Sequence, residues 1–293
     1  MSRLAATLRM IRFEHSVFAL PFALSGAWLA SGGTPPRLRD LLWIVTAAVA
    51  ARSAAMAFNR LADRRLDAAN PRTARRELPR GELTAAFVAG FTLICAAGFV
   101  AASFVLAPVC GWLSLPVLAL LLGYSFLKRV TWLCHLGLGL ALACAPAGAW
   151  LAVKKGFAPG WPQPLLLGAG VVAWVAGFDL LYALQDLEHD RGAGLRSFPA
   201  RFGPRATRLA AMFLHAAAWS VFVLVGIQAG FGAAYFAGVA LVGALLAFEH
   251  WLVRGGRTES IPVAFFQVNA CVGLVYFAGV LIDGMQRLVE GST

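Results

Sequence analysis

Long, unbroken apolar runs constrain this chain more than any other feature. Stretches such as LLWIVTAAVAARSAAMAF (41–58) and LPVLALLLGYSF (115–126) leave no polar face for a water-exposed helix. A helix that crosses a bilayer needs about 20 mostly apolar residues. Segments of that kind fall at roughly 13–31, 40–61, 82–106, 109–127, 132–153, 164–186, 206–230, 233–253 and 262–283. Strands of a membrane β-barrel would alternate in polarity instead. Composition agrees: 60% of the residues are hydrophobic and 13% charged, against about 45–50% and about 25% in soluble domains. The expected fold is all-α: a polytopic membrane protein with nine transmembrane helices.

Turn chemistry marks the breaks. SGGTPPR follows the first segment, Pro108 separates the third from the fourth, KKGFAPGWPQP follows the fifth and AGFG the seventh. The connections at 107–108 and 230–233 are short enough to make helical hairpins. The basic start MSRLAATLRMIRFEH runs into apolar sequence without a small-residue cleavage site, so the first segment is expected to stay as a spanning helix. With the N-terminus in the cytoplasm, Arg37, Arg39, Lys154, Lys155 and Arg287 fall on the outer side and Arg52 within the second helix. The remaining Lys and Arg, Arg254 and Arg257 among them, face the cytoplasm. The net charge of +11 then reflects loop bias, and nucleic acid is not expected as a partner. The polar loops 62–81 and 187–205 share the cytoplasmic side. They follow helices two and six, which suggests one domain over 1–293 built from two loosely repeated halves.

The five cysteines (Cys95, Cys110, Cys134, Cys144, Cys271) lie singly in apolar runs and read as small buried hydrophobes. Chemistry concentrates elsewhere. Asp63 and Asp67, and again Asp186 and Asp190, are pairs four residues apart at the ends of apolar segments. On a helix that spacing puts both carboxylates on one face, about 6 Å apart along the axis. Asn59 stands four residues before the first pair and Tyr182 four before the second. Like charges 4 Å apart repel by about 4 kcal/mol at an effective dielectric of 20. The pairs therefore need cations. Neighbouring arginines could supply them as a solvated membrane-edge network. Two matched pairs on one side favour a divalent metal, because carboxylate and amide oxygens suit Mg2+ completed by substrate phosphates. The arginines then suit the phosphates. Tyr124 and Lys128 share a helix face at the same membrane side, with Arg129 adjacent. Asp179 sits inside the sixth segment, where an acid is a functional candidate by default.

Taken together, FNRLADRRLD (58–67), NPRTARRELPRG (70–81), YSFLK (124–128) and YALQDLEHDRGAGLRSFPARFG (182–203) resemble the UbiA superfamily of intramembrane aromatic prenyltransferases. The resemblance extends over most of the chain. It implies nine helices around a central cavity with two aspartate-rich motifs near the cytoplasmic surface. It implies Mg2+-dependent transfer of a prenyl group from a polyprenyl diphosphate. Asp63, Asp67, Asp186 and Asp190 would hold Mg2+–diphosphate with help from Asn59. Lys128, Arg72 and Arg196 would contact phosphate oxygens. Tyr124, Tyr182 and Arg129 would border the substrate, and Asp179 or Asp186 would take the ring proton. IRFEHSVFALPFALSG (11–26) and RELP (76–79) are similar to a branch acting on aromatic acids, 4-hydroxybenzoate or a dihydroxynaphthoate, in ubiquinone or menaquinone synthesis. Arg12 or Arg129 would bind the acceptor carboxylate, and Glu14 and His15 would line the entry. The implied location is a bacterial cytoplasmic membrane.

Two other readings compete. CDP-alcohol phosphatidyltransferases also use membrane-edge aspartates, but the D-G-x-x-A-R element of that pattern is missing from this chain. A transporter would place its ionisable groups at the midplane on broken helices. Haem or chlorophyll prenylation is the alternative within the superfamily.

Overall fold

A computed structural model describes residues 3–32, 34–254 and 261–290; Arg257, counted above, lies outside them. No strand occurs among the described residues. The elements are α1 (Arg3–Met10), a 3-10 turn (Phe13–Phe18), α2 (Leu20–Ser31), α3 (Leu38–Ala62), α4 (Arg64–Ala69), α5 (Ala85–Leu106), α6 (Pro108–Val130) and α7 (Cys134–Lys154). They continue with α8 (Pro162–Ala183), a 3-10 turn (Leu184–Asp186), α9 (Leu187–Gly192), α10 (Phe198–Gln228), α11 (Ala233–Leu252), α12 (Ile261–Val263), a π-helical turn (Ala264–Val268) and α13 (Asn269–Glu290).

Eight of the described helices are long and apolar enough to cross a membrane. Each of the nine expected segments has its helix within a few residues, but the first is broken. Arg12 takes a left-handed conformation (φ 49°, ψ 59°) ahead of the 3-10 turn, and Pro21 stands in the first turn of α2. Proline cannot donate a backbone hydrogen bond and favours a helix start. The apolar run 13–31 therefore divides, leaving α2 as a short twelve-residue helix. Similarly, Gly203 (φ 77°) followed by Pro204 kinks α10 where its apolar part begins.

Helices α2, α7, α8, α10, α11 and α13 pack in a closed ring, and α3, α5 and α6 form an arc that returns to the shared α2–α7 contact. Aromatic side chains fill the ring: Phe22, Trp174, Phe222, Tyr235 and Tyr276 are fully buried. Large apolar side chains such as Leu93, Ile94, Trp112 and Phe213 face outward, where lipid would meet them. Glycine brings the shared contact close. A Cβ added at Gly26 of α2 would stand 2.3 Å from the Pro146 carbonyl oxygen on α7. Small residues allow backbones to approach this way in membranes. Overpacking costs about 1–3 kcal/mol, so Gly26→Ala is expected to lower the melting temperature in detergent. Gly90→Ala, whose Cβ meets nothing within 4 Å, leaves it near wild type.

Candidate active site

Both acidic motifs begin at a helix break. Asp63 separates α3 from α4 with φ −92° and ψ 5°. Asp186 ends the 3-10 turn and stands at the N-cap of α9 with φ −102° and ψ 6°. This sparsely populated region recurs in active-site residues. The long helices do not run on through the motifs: the first acid of each pair stands at the break, and the second lies one turn into the short helix that follows. A backbone bond from the Asp67 N–H to the Asp63 carbonyl (2.8 Å) closes the first turn of α4.

The bends turn both pairs into one cavity of about 680 Å3. Asn59, Asp63, Asp67, Arg72, Tyr124, Lys128, Asp179, Tyr182, Asp186 and Asp190 all line it. Asp63 is buried and receives Lys128 Nζ at 2.7 Å and the Arg129 guanidinium at 2.9 Å. Asn59 Nδ2 donates to Asp63 Oδ2 at 3.3 Å. Asp67 is held by Arg76 at 2.7 Å. The loop after α4 crosses to the second motif. Arg72 grips both oxygens of Asp186, Asn70 Nδ2 donates to Asp186 Oδ1 at 2.8 Å, and Arg72 Nη1 donates to the Tyr182 hydroxyl at 2.8 Å. Burial works against the Arg72 charge, yet its bonds to Asp186 and Tyr182 hold its pKa above the ordinary arginine value. Each acid except Asp190 thus meets a base in these contacts, an arrangement that a phosphate-rich ligand could exchange with.

Two basic residues sit differently from their expected roles, Arg196 at the phosphates and Arg129 at the acceptor carboxylate. Arg196 points to the exposed C-terminal end of α6: its N–H bonds Lys128 O at 2.7 Å and its guanidinium bonds Val130 O at 3.0 Å. The last carbonyls of a helix lack partners of their own, which explains the attraction. It is not among the described residues that line the cavity. Arg129 is engaged with Asp63 and with Ala62 O at 2.8 Å.

The cavity also holds residues that sequence reasoning left unused. His135 Nδ1 lies 2.6 Å from Asp179 Oδ2, while His135 Nε2 is buried without a partner. Arg52 lines the cavity from α3, with its Nε buried and unpartnered. The rule that a charge inside a membrane helix is functional by default could have singled it out. Asn70 and Arg76 were visible only as parts of a basic loop. Beyond Arg52, Met56, Tyr124, Leu138 and Leu142 the cavity meets a second, apolar chamber of about 300 Å3 inside the α3–α5–α6 arc.

Among the described residues no three His, Cys, Asp or Glu side chains converge on one point. The donors instead form two separate pairs of hard oxygens. That fits Mg2+, which typically takes one or two carboxylates and completes its shell with water and phosphate.

Residues 19–271 match the model of the UbiA prenyltransferase family. The chain belongs to that family. A 4-hydroxybenzoate octaprenyltransferase from Aromatoleum aromaticum is 32% identical, covering 96% of this chain and 95% of the relative. The apo structure of a UbiA homologue from Aeropyrum pernix K1 is 33% identical, with a TM-score of 0.85, over 92% of this chain and 98% of that one. A UbiA homologue from Archaeoglobus fulgidus, solved bound to DMAPP and Mg2+, shares the fold at 18% identity and a TM-score of 0.72, over 96% and 99% of the two chains. This UbiA family member is an integral-membrane prenyltransferase resembling the 4-hydroxybenzoate polyprenyltransferases.

Proposed function

We propose that the protein transfers a polyprenyl group from a polyprenyl diphosphate to an aromatic acid of the 4-hydroxybenzoate or dihydroxynaphthoate type. One observation carries the reading. A polar cavity bearing two acid–base motifs adjoins an apolar chamber with which it shares lining residues, which matches a substrate with a charged head and a greasy tail. The relatives named for 4-hydroxybenzoate prenylation support the acceptor class and a role in ubiquinone synthesis.

The Asp63–Asp67 and Asp186–Asp190 pairs would hold Mg2+, which would supply charge compensation to the leaving diphosphate. Lys128 and Arg72 exchange their carboxylate partners for phosphate oxygens and stabilise the charge that grows as the allylic C–O bond breaks. The apolar walls hold the tail and keep water from the allylic cation. Arg52 offers a buried cation to the acceptor carboxylate, a better candidate than Arg129, which Asp63 occupies. Asp179, anchored through Oδ2 by His135, accepts the ring proton. The active loops face the cytoplasm in a bacterial inner membrane, following the distribution of basic residues.

The test is incubation of membranes with radiolabelled polyprenyl diphosphate, Mg2+ and a panel of aromatic acids. Labelled product with 4-hydroxybenzoate or a dihydroxynaphthoate, lost on adding EDTA, is expected. Absence of transfer to any acid would overturn the assignment and favour a transporter.

A further inference from the structure

A second buried polar cluster lies outside the acid motifs, and the reaction above does not use it. Glu249 and Asn269 are both fully buried. Trp174 Nε1 on α8 donates to Asn269 Oδ1 at 2.7 Å, and Asn269 Nδ2 donates to Glu249 Oε1 of α11 at 2.9 Å. The same amide reaches the carbonyls of Ala264 and Phe265, at 3.1 and 3.2 Å. Those carbonyls belong to the π-helical turn Ala264–Val268. Turns of this kind are rare and cluster at functional sites. Burying polar groups in a membrane interior is costly, and bonded ones specify one arrangement. Here Asn269 is bonded at both ends of its amide and Glu249 at Oε1. Glu249 Oε2 is buried without a hydrogen-bond partner among the described residues, 3.9 Å from His215 Nδ1.

The turn carries Phe265 and Phe266, both in the wall of the polar cavity. Phe265 packs 4.3 Å from the Tyr182 ring and 5.3 Å from Phe178, and Phe266 lies 4.9 Å from the His15 ring. Tyr182 in turn accepts the Arg72 bond at 2.8 Å. A chain of contacts therefore runs from Glu249 through Asn269 and Phe265 to the arginine that grips Asp186.

We infer that Asn269, locked by Trp174 and Glu249, is a positioning residue that sets Phe265 and Phe266 as the water-excluding aromatic wall of the cavity. The inference rests on the prenyl-transfer reading. In that reaction the allylic C1–O bond to diphosphate breaks and C1 bonds a ring carbon, whose proton leaves to a base. Water is the competitor: its oxygen bonds C1, its proton passes to the diphosphate, and a prenyl alcohol is released. The wall sets the ratio of these two outcomes.

The ratio of prenyl alcohol to prenylated acid decides the matter, measured on purified protein in nanodiscs with geranyl diphosphate, Mg2+ and 4-hydroxybenzoate. Loss of correctly folded protein lowers both products and leaves the ratio unmoved. Asn269→Leu is expected to raise it several-fold. Phe265→Ala is expected to do the same, and the double variant to add little. Glu249→Gln, which retains the Oε1 acceptor, keeps the wild-type ratio, whereas Glu249→Leu raises it. An unchanged ratio in Phe265→Ala, or in a folded Asn269→Leu, overturns the inference. A wild-type protein that forms neither product removes the prenyl-transfer reading and this inference with it, an outcome separate from an unchanged ratio in an active protein.

Discussion

Asp186→Asn lowers prenyl transfer by at least about 10²-fold, the scale on which one well-placed electrostatic group acts. The substitution removes one charge from the carboxylate that Arg72 and Asn70 hold. It weakens the oxygen set proposed for Mg2+ and frees Arg72 from its ion pair. Asp63→Asn is expected to act on the same scale, because its carboxylate anchors both Lys128 and Arg129. The measurement is product formation at saturating substrates, beside a melting curve showing that the protein still folds. Glu188→Gln is the control. That acid belongs to α9 as Asp190 does, but its side chain is 87% exposed, and activity should stay close to wild type. Loss of activity in Glu188→Gln equal to that in Asp186→Asn would mean that bulk loop charge, rather than a defined site, is responsible. Retained Mg2+-dependent activity in Asp186→Asn would remove the second motif from the metal assignment.

Arg52→Met raises the KM for the aromatic acid by roughly 10- to 10²-fold, because a hydrogen bond to a charged group contributes about 1.5–3 kcal/mol. Methionine keeps most of the apolar stem and removes the guanidinium. The KM for the prenyl diphosphate should change little, since Lys128 and Arg72 stand at the acid motifs and Arg52 at the border of the apolar chamber. The steady-state split between the two constants is the readout. An equal rise in both, or a wild-type KM for the acid, would detach Arg52 from the acceptor. Arg12→Met is expected to have the smaller effect. Arg12 is about half exposed and pairs with Glu14 at 3.7 Å, so water already screens its charge.

The membrane fold was open to reading from local chemistry. Each apolar run must satisfy its own backbone in lipid and therefore becomes a helix, and Gly or Pro between runs must become a turn. The break in the first run was hidden because a 3-10 turn and an α-helix share the same apolar composition; only the left-handed Arg12 and the placement of Pro21 separate them. The bends at Asp63 and Asp186 were hidden for a similar reason. Spacing of four residues fits a straight helix and a bent one equally well. Arg196 illustrates a different limit. An arginine beside an acid motif can answer a phosphate or the orphan carbonyls of a neighbouring helix, and the end of α6 happens to lie within its reach.

Residue type and spacing settled that this chain is a helical membrane protein and which side chains bear charge in an otherwise apolar sequence. Those properties are local: hydropathy, helix period and turn preference act over a few residues at a time. Which charges meet was decided by tertiary structure alone. Arg72 finds Asp186, 114 positions away, Asp179 finds His135, and Asn269 finds Glu249 and Trp174. These pairings depend on how helices rotate and cross. That is set by packing throughout the bundle, down to a single glycine at the α2–α7 contact, and no short stretch of sequence encodes it.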